Sequence, residues 1–479
     1  MKRLLFISCF FTYAAYGQNE VDVLRYSRIG FGGSARYSAM GGAFGALGGD
    51  ASVTSTNPAG LGLYNKNELT FTPSLFSQNV ISNYNGTTSE DSRYNFRIEN
   101  FGMVFGSRTD NTNEKGWQSV GLAITYNRYN SFQANVMMAG EDTTSLLDHW
   151  KQTASGVLPE NLDAFNEIAG WNTYLLNQVP GDPYSYTDTI PDGTKVFQRK
   201  QLTMRGGMGE WAFALAGNYS DRVYIGVSFG IPQVRYEETS LYSEEQLEDS
   251  VSAFRSFLFQ QELVTKGRGF NFKAGVIYRP VDLIRIGFAF HSPTFLRMSD
   301  AWLSVMNSEF AGDSYQYDSP NGNYNYNMQT PMRMIGSLAF IFGKTASLSA
   351  DVEVVDYSEG KLRAPDYAFI DANNAVRAKY TLTQNFRAGG EIRVLPFVFR
   401  AGFAYYGSPY KPSVSNNARR LYYTGGVGYR SEDDSFFVDA GVVFMNEKSN
   451  YYFYDQSLVN PVENTWKSVN TVLTIGFRY

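Results

Sequence analysis

The chain ends in the stretch WKSVNTVLTIGFRY, residues 466–479, in which apolar and polar side chains alternate. The apolar face consists of Val469, Thr471, Leu473, Ile475, Phe477 and Tyr479. The polar face consists of Asn470, Thr474, Gly476 and Arg478, and Val472 is its one apolar member. Alternation over about ten residues is typical of a transmembrane β-barrel strand, in which lipid-facing and lumen-facing positions alternate. The stretch therefore predicts a barrel rather than a soluble sheet.

Both ends of the chain also indicate the outer membrane of a Gram-negative bacterium. The aromatic last residue, Tyr479, resembles the signal read by the barrel-insertion machinery, which we expect as a partner of the C-terminal strand. At the other end, Lys2 and Arg3 precede an apolar run, and residues 15–17 offer the small side chains of a cleavage site. Residues 1–17 are therefore predicted to be a signal peptide, with the mature chain beginning at Gln18.

The composition excludes several other classes of protein. The 479 residues include 34 Tyr and 36 Phe, only 18% are charged, and the net charge is −5. Beyond the first 17 residues the sequence has no run of roughly 20 apolar residues, which excludes helical membrane spans. The single cysteine, Cys9, lies in the predicted leader, so we expect no disulfide and no thiol chemistry in the mature chain. Interspersed charges of both signs give no reason to expect nucleic-acid binding.

From Leu69 onward the alternation recurs in fourteen segments, an even number as bacterial single-chain barrels require. We place the strands near residues 69–78, 94–106, 117–138, 209–219, 223–237, 269–279, 283–298, 330–342, 346–357, 380–394, 397–407, 421–430, 435–446 and 466–479. A Lys or Arg that faces lipid at mid-membrane costs roughly 2–4 kcal/mol, so the cations on these strands are predicted to face the lumen. Connections after odd-numbered strands are the long ones, which places both ends of the barrel domain, residues 69–479, on the periplasmic side.

Residues 18–68 precede the first strand and do not alternate. Ten of the 45 glycines fall between Gly30 and Gly62, and glycine permits positive φ and close backbone approach. The segment also contains Met40 and Phe44, and it is too apolar for a solvated linker. We therefore expect it to fold inside the barrel as a plug, or hatch, with a flexible periplasmic tail as the alternative.

This segment resembles the N-terminal hatch of a known family. The resemblance rests on the run GSARYSAMGGA at residues 33–43, on Asp50-Ala51-Ser52 and on Asn57-Pro58-Ala59. These residues resemble the hatch of the FadL/TodX family of outer-membrane transporters for long-chain fatty acids and aromatic hydrocarbons. The hatch residues that it identifies are Arg36, Tyr37, Gly41, Gly42, Asn57, Pro58 and Ala59. The resemblance implies a ligand that adsorbs between outer loops, moves inward and leaves sideways through a gap beside a kinked third strand.

Two long outer loops contain apolar residues at helical spacing, which predicts that both are partly helical. In residues 139–208 the pattern runs from Leu146 to Leu175, and in residues 238–268 it runs from Leu247 to Gln261. The ligand-binding candidates on the two loops are Leu146, Leu147, Trp150, Leu162, Phe165, Trp171, Phe254, Phe257 and Leu258. Two amphipathic helices could form an apolar groove for a ligand, or they could bury their apolar faces against each other.

In the third strand, consecutive polar residues at 126–131 interrupt the alternation. Asn127 and Asn130 are the candidate residues of a kink that would expose the lumen to lipid, because a disrupted ladder bends the strand and loses pairing. The alternative is a strand end that enters the membrane interface.

The sequence predicts no catalytic site. The motif GVSFG at residues 226–230 matches the hydrolase pattern G-x-S-x-G, but it lies within an alternating strand rather than at a strand–turn–helix elbow. His149 and His291 are the only histidines that could act as a base, a metal ligand or a haem ligand, and we expect polar roles for both. No catalytic residue, no metal and no cofactor are therefore expected.

Taken together, the sequence predicts an all-β protein: a 14-stranded antiparallel transmembrane barrel with an N-terminal hatch and two partly helical outer loops. The function expected of it is passive transport of hydrophobic small molecules, such as long-chain fatty acids or aromatic compounds, with lateral release into membrane lipid. The alternative is a FadL-like barrel that serves as a docking or shuttle subunit of a protein-secretion apparatus, and a third possibility is a haem receptor. We expect a monomer that is not an enzyme.

Overall fold

The computed structural model describes residues 18–109, 115–247 and 253–479. The predicted signal peptide, residues 1–17, lies outside these ranges. Within them, each helix is too short or too polar to cross a membrane. Most of the described chain forms one large sheet, as the alternation predicts.

The secondary structure consists of long strands and a few short helices. The strands are β1 (Glu68–Tyr84), β2 (Thr87–Arg108), β3 (Trp117–Ser131), β4 (Ala134–Asp142), β5 (Leu176–Val179), β6 (Asp182–Asp188), β7 (Val196–Tyr219), β8 (Val223–Gln246), β9 (Phe254–Val281), β10 (Ile284–His291), β11 (Phe295–Phe310), β12 (Ser314–Asp318), β13 (Gly322–Gln329), β14 (Arg333–Phe342), β15 (Ala346–Asp356), β16 (Lys361–Arg363), β17 (Leu382–Val394), β18 (Phe397–Tyr406), β19 (Arg420–Arg430), β20 (Phe436–Tyr451) and β21 (Val462–Arg478). The α-helices are α1 (Glu20–Ser27), α2 (Ala35–Ala39), α3 (Leu146–Ala154), α4 (Glu167–Asn172) and α5 (Ile370–Lys379). Short 3₁₀ helices lie at Ala51–Ser55, Pro58–Leu63, Pro159–Asn161 and Tyr357–Glu359.

The large sheet closes into a barrel with fourteen wall positions, which confirms the predicted strand number. β1 pairs with β2 on one side and with β21 on the other, from Glu68 opposite Arg478 to Asn83 opposite Glu463. Four wall positions are each formed by two successive strands: β3 with β4, β10 with β11, β13 with β14, and β15 with β16. The short connections, such as 220–222, 343–345 and 395–396, lie at one end, which we call the turn end. The other end is the loop end.

The outer face of the barrel near the turn end is a belt of exposed apolar side chains. Members of this belt include Phe71, Phe213, Leu215, Ile225, Phe229, Phe272, Phe288, Leu348, Phe386, Phe399, Leu473, Ile475 and Phe477. By contrast Lys273, Arg387 and Arg400 are buried on the inner face of the same strands. The separation follows from the cost of placing a cation in lipid, and it gives the outer surface the character of a membrane-facing wall.

Several strands continue well beyond this belt, and here the sequence prediction was wrong. The region predicted as a partly helical loop at 238–268 is a strand hairpin: β8 extends to Gln246, and β9 begins at Phe254. Phe254, Phe257 and Leu258 therefore lie on a strand, whereas residues 248–252 of the predicted helix lie outside the described ranges. Above the belt the outer face meets water, as at exposed Gln233 and Arg235, so the apolar-polar alternation ends although the ladder continues.

The first long loop, residues 143–195, is partly helical as predicted. α3 and α4 lie within the predicted helical run, but the helices are short, and the loop continues as the β5–β6 hairpin. A separate feature that the strand prediction missed is the tight turn at Asn85-Gly86, which joins β1 to β2. Both residues have positive φ, 47° and 86°, as this kind of two-residue hairpin requires.

Residues 18–67, which we call the N-terminal segment, pack against the inner face of the barrel. The Ala35 amide donates to Thr474 Oγ1 at 2.7 Å, and Thr424 Oγ1 donates to the Ala39 carbonyl at 2.8 Å. Ser119 Oγ donates to the Gly62 carbonyl at 2.9 Å from another part of the wall. The segment thus contacts strands on several sides of the lumen, and most of its residues are buried.

Three apolar clusters lie along the lumen. The upper cluster, at the loop end, joins α3 to inward residues of β1, β4, β7, β8, β9 and β21. The middle cluster surrounds Val23, Leu24 and Tyr26 of α1 with side chains from β3, β8, β9, β11 and β13. The lower cluster, at the turn end, is built around Met40 and Phe44 of the N-terminal segment. Met204 of β7 packs against both the upper and the middle cluster, so these two are continuous.

Candidate functional site

Five of the nine predicted ligand-binding residues lie together in the upper cluster. Leu146, Leu147, Trp150, Phe254 and Phe257 are all buried there, and they bring α3 against the beginning of β9. The ring centroids of Phe254 and Phe257 are 6.2 Å apart. The arrangement is a packed apolar core at the barrel mouth, and it is not an open groove between two helices.

The other four candidates are dispersed. Leu162 and Trp171 belong to a small separate cluster against the β5–β6 hairpin, where Trp171 stands 6.2 Å from the Tyr186 ring. Phe165 packs against Trp302 of β11, with ring centroids 5.6 Å apart. Leu258 is 37% exposed on the outer face of β9, so it lies on the opposite side of the wall from the upper cluster.

The N-terminus of α3 is fixed to the barrel wall by a buried carboxylate. Glu244 of β8 accepts hydrogen bonds from Ser145 Oγ at 2.5 Å and from the Leu146 amide at 2.8 Å. Ser145 also forms a capping box with Asp148, which satisfies further amides of the first turn. The helix that carries Trp150 is therefore held over the barrel mouth by its cap as well as by its apolar face.

The middle cluster contains a helix that the sequence reasoning missed. α1 begins with a capping box between Asn19 and Asp22, and this signal was present in the sequence. Tyr26 packs edge-on against Phe132, with centroids 6.0 Å apart, and against Tyr236 at 6.4 Å. Because Phe132 lies between β3 and β4, the middle cluster extends to the break in that wall position.

The wall has a gap on one side of this break. The pairing of β2 with β3 ends at Asn100 opposite Asn127, although β2 continues to Thr87 in its pairing with β1. On the other side, the pairing of β3 with β7 shifts register between Arg128 and Asn130. Of the predicted kink residues, Asn127 closes the last pair before the gap, where its Oδ1 accepts from Asn100 Nδ2 at 2.6 Å.

The N-terminal segment covers the gap from inside. The Gly30 amide donates to the Tyr129 carbonyl at 3.0 Å, and Asn130, the second predicted kink residue, donates from Nδ2 to the Arg28 carbonyl. Gly32 lies so close to β3 that a Cβ at this position would stand 1.9 Å from the Arg128 carbonyl oxygen. Residues 28–32 therefore follow the edge of β3 that β2 leaves unpaired. A side chain at position 32 would push this segment away from β3.

On the outer face, the gap is bordered by exposed apolar side chains of β2. Tyr94, Phe96 and Ile98 are 79%, 67% and 43% exposed, respectively. Across the gap itself the contacts are made by side chains: Arg93 Nε donates to Gln133 Oε1 at 2.8 Å, and Arg128 Nε donates to the Ile98 carbonyl at 3.0 Å. Exposed contacts of this kind are individually weak.

The predicted hatch residues lie in the N-terminal segment and make specific contacts there. Arg36 forms an ion pair with Glu391 of β17 at 2.9 Å, and Tyr37 shares a hydrogen bond with Thr56 at 2.6 Å. Gly41 and Gly42 have φ of 63° and 72°, a conformation that only glycine adopts without strain, where the chain turns after α2.

The Asn57-Pro58-Ala59 triplet begins a 3₁₀ helix that faces glycines in the wall. Asn57 caps it by accepting from the Ala59 amide at 3.1 Å, and its Nδ2 donates to the Gly45 carbonyl at 2.6 Å. A Cβ at Gly226 would stand 2.4 Å from the Pro58 carbonyl carbon, and one at Gly275 would stand 1.9 Å from Asn57 Oδ1. Gly226 of the G-x-S-x-G match is therefore explained by contact with the N-terminal segment.

A network of buried ion pairs lines one side of the lumen at the turn end. Glu391 binds Arg36 at 2.9 Å and Arg400 at 2.7 Å, and Arg400 continues to Asp439 at 2.7 Å. Arg430 joins Asp439 at 2.9 Å. These side chains are nearly all buried, so the network ties α2 to β17, β18, β19 and β20 through charges that water does not screen.

The histidines and the acidic groups have ordinary structural roles. His291 is buried with its Nε2 2.7 Å from the Thr56 carbonyl oxygen, and His149 stacks on Tyr454 with ring centroids 6.4 Å apart. In the first loop Asp148, Asp188 and Asp192 lie close together, but they surround Lys151, whose Nζ is 2.8 Å from Asp188. The lysine ammonium pairs with all three carboxylates and takes the place that a metal cation would need.

Comparison with solved structures identifies the architecture. A FadL homologue from Pseudomonas aeruginosa superposes with a TM-score of 0.56 at 13% identity, over 94% of this chain and 99% of that chain. The chain has the FadL fold. The toluene transporter TodX of Pseudomonas putida matches with a TM-score of 0.54 at 11% identity, over 94% of this chain and 99% of TodX. The monoaromatic hydrocarbon channel CymD matches with a TM-score of 0.52 at 12% identity, over 94% and 98%. No family model and no curated protein matches the sequence.

These similarities extend over 94% of this chain. In this fold the N-terminal segment fills the lumen, and the wall is incomplete where the pairing of β2 with β3 ends. The residues that cover this gap from inside belong to the N-terminal segment. The chemistry available along the lumen is apolar burial in the upper and middle clusters and ionic contact at the turn end.

Proposed function

We propose that this chain is a passive outer-membrane transporter for hydrophobic small molecules, with the N-terminal segment as its hatch. Proteins of the same fold are described as toluene transporters and as a monoaromatic hydrocarbon channel. The apolar belt and the long polar strand extensions fit a barrel whose turn end faces the periplasm and whose loop end faces outward.

The proposed path begins in the upper cluster and continues into the middle cluster. Both are apolar and meet at Met204, so a hydrophobic molecule that replaces their internal contacts stays out of water along the way. Apolar burial contributes roughly 25 cal/mol per Å². A binding free energy built from such burial holds a hydrophobic ligand and still allows it to dissociate. Since both clusters are packed, side chains of α3 and α1 must move as the ligand passes.

The observation that carries the proposal is the end of the β2–β3 pairing beside the middle cluster. Tyr129 and Phe132 of that cluster lie at the break, and the N-terminal segment covers the gap through two hydrogen bonds to Tyr129 and Asn130. Lateral release through this gap would deliver the ligand directly to lipid. A periplasmic exit would instead require a hydrophobic molecule to pass the ion pairs around Glu391.

A disulfide between the N-terminal segment and β3 tests the proposal. An ideal Cβ at Gly30 lies 3.9 Å from Asn130 Oδ1, so cysteines at positions 30 and 130 have neighbouring side chains, and a disulfide between them would tether the hatch. The chain from Gln18 onward has no native cysteine, so the pair would be the only possible disulfide. We expect oxidised protein in liposomes to lose uptake of a fluorescent hydrophobic dye, and reduction to restore it.

The two single-cysteine variants are the matched controls, because they carry the same substitutions without the tether. Equal uptake by the oxidised and reduced double variant, with the disulfide verified by mass, would contradict lateral release. Absence of uptake by the wild-type protein, together with co-purification of a large protein partner, would favour the docking role in secretion instead.

A further inference from the structure

The outer face of β8, β9, β11 and β13 carries a band of polar side chains directly above the apolar belt. On β9 the exposed positions run upward from Phe272 and Phe270 to Arg268 and Lys266. Phe270 is opposite Phe295 of β11, and the centroids of these two rings are 5.4 Å apart. The belt on this side therefore ends in two aromatic rings, and the charged side chains begin two residues further toward the loop end.

The strand register places these polar side chains in two rows that cross four strands. In the lower row, directly opposite partners follow one another in the order Gln233, Arg268, Arg297 and Asn327. The upper row, two residues nearer the loop end, consists in the same way of Arg235, Lys266, Ser299 and Asn325. All eight side chains are exposed, and each can donate hydrogen bonds. Neither row contains a carboxylate, and we call this surface the cationic patch.

The two arginines at the centre of the patch repel each other. Arg268 and Arg297 are directly opposite, and like charges in such a cross-strand pair are destabilising. Among the residues that the structure describes, Arg235 is the one cation of the patch with an ion-pair partner, Glu237. Three positive charges are therefore concentrated here without a partner, although the chain as a whole has a net charge of −5. An anion bound between the arginines would remove the repulsion.

We propose that the cationic patch binds the phosphate groups of a phosphorylated glycolipid in the outer leaflet of the membrane. A guanidinium donates two parallel hydrogen bonds to a phosphate, so Arg268 and Arg297 can hold one phosphate between them. The acyl chains of the lipid then lie along the belt, beginning at Phe270 and Phe295. This order of apolar rings and cations favours a lipid over a soluble acidic protein, because a lipid carries its phosphate directly above its acyl chains. The inference does not depend on what the barrel transports, but it rests on the outward orientation of the loop end in the proposed function.

Lipid binding by the purified mature protein in detergent tests the inference. The probe is diphosphoryl lipid A, and the comparison is the same lipid A without its phosphates. We expect the wild type to bind the phosphorylated form about 10- to 100-fold more tightly, because several cations near an anionic headgroup contribute together. Arg268→Gln combined with Arg297→Gln should lose most of that preference. The matched control, Arg222→Gln with Lys344→Gln, removes two exposed cations from the turn end and should keep it.

Equal affinity of the wild type for the two forms of lipid A would overturn the lipid site. Displacement of bound lipid A by millimolar inorganic phosphate would also overturn it, since the arginines would then bind a free anion. In lipid-free detergent the double variant should unfold at the wild-type temperature or above it, because two like charges have been removed. Unfolding at a lower temperature would show that the arginines stabilise the wall by themselves, against the inference. The double variant should take up dye at the wild-type rate, so failure of this inference and failure of the transport proposal are distinguishable.

Discussion

Substitution of Gly32 by alanine should release the hatch from the gap. A Cβ at this position would stand 1.9 Å from the Arg128 carbonyl oxygen and 2.9 Å from Glu99 Oε1. Backbone on one side and a buried carboxylate on the other leave no room for adjustment by a flexible side chain. Residues 28–32 must therefore move away from β3 when Gly32 is replaced.

The magnitude follows from the contacts that this movement breaks. The segment is joined to β3 by the hydrogen bond from the Gly30 amide to Tyr129 and by the one from Asn130 to the Arg28 carbonyl. Each contributes about 0.5–1.5 kcal/mol, so their loss favours the open state by about 1–3 kcal/mol. A coupling of that size corresponds to about a 5- to 150-fold change in the open-to-closed ratio.

Hydrogen exchange at residues 28–33, read by mass spectrometry, measures this ratio directly, and dye uptake into liposomes measures its consequence. Gly336→Ala on β14 is the matched control, because a Cβ there meets no atom within 4 Å. We expect faster exchange and faster uptake in Gly32→Ala alone. If Gly32→Ala folds normally and exchanges at the wild-type rate, the N-terminal segment does not govern the gap.

Three further variants test other parts of the path. Trp150→Ala removes a buried side chain of the upper cluster and should cost about 3–5 kcal/mol, seen as faster proteolysis of loop 143–195 and slower uptake. Lys151→Met removes the cation beside Asp188, a carboxyl whose pKa is already raised by burial. The stability of the loop should therefore fall as the pH rises above about 4, and it should fall more than in the wild type. Arg36→Met breaks the Glu391 pair and should raise ion conductance in planar bilayers.

For each variant one result would contradict the expectation. The direction of the pH effect at Asp188 follows from its raised pKa. A carboxyl whose folded-state pKa lies above its unfolded value stabilises the fold most at low pH and loses that contribution as the pH rises through the folded-state pKa. Protease resistance of Lys151→Met that increases with pH would therefore contradict the burial of Asp188. Unchanged conductance of Arg36→Met would show that the remaining ion pairs seal the turn end without it, and unchanged uptake by Trp150→Ala would remove the upper cluster from the path.

The sequence predicted the part of the barrel that touches lipid much better than the part that touches water. In the belt, the membrane requires apolar residues at every second position, so the pattern and the strands coincide. Beyond it, β8 and β9 pair on to Glu245 and Ser256 with polar outer faces, and the alternation disappears although the ladder does not. One local signal was available: Asn-Gly at residues 85–86 is a strong two-residue hairpin motif, and it marks where β1 turns into β2.

The candidate site could be predicted only where its residues are neighbours in the sequence. The Asn57-Pro58-Ala59 triplet is visible as a motif, but Gly226 and Gly275, which make room for it, lie far along the chain and are identified only once the barrel is closed. The predicted helix after Leu247 failed for a related reason: inward residues of β9 such as Phe254 and Phe257 happen to fall three residues apart, a spacing that a helix and an irregular strand end both produce.

The lateral release proposed above agrees with a comparison of the two possible exits. A hydrophobic molecule that left the middle cluster at the turn end would pass buried pairs such as Arg400–Glu391 and Arg400–Asp439. Removing one partner of a buried pair costs about 3–5 kcal/mol, and the charges left behind would face an apolar ligand. Opening the gap breaks the two hydrogen bonds that join the N-terminal segment to β3 and the side-chain contacts of Arg93 and Arg128 across the gap, each worth about 0.5–1.5 kcal/mol. It moves the ligand from one apolar environment into another, so the proposed lateral route avoids the buried charges that the sequence places at the turn end.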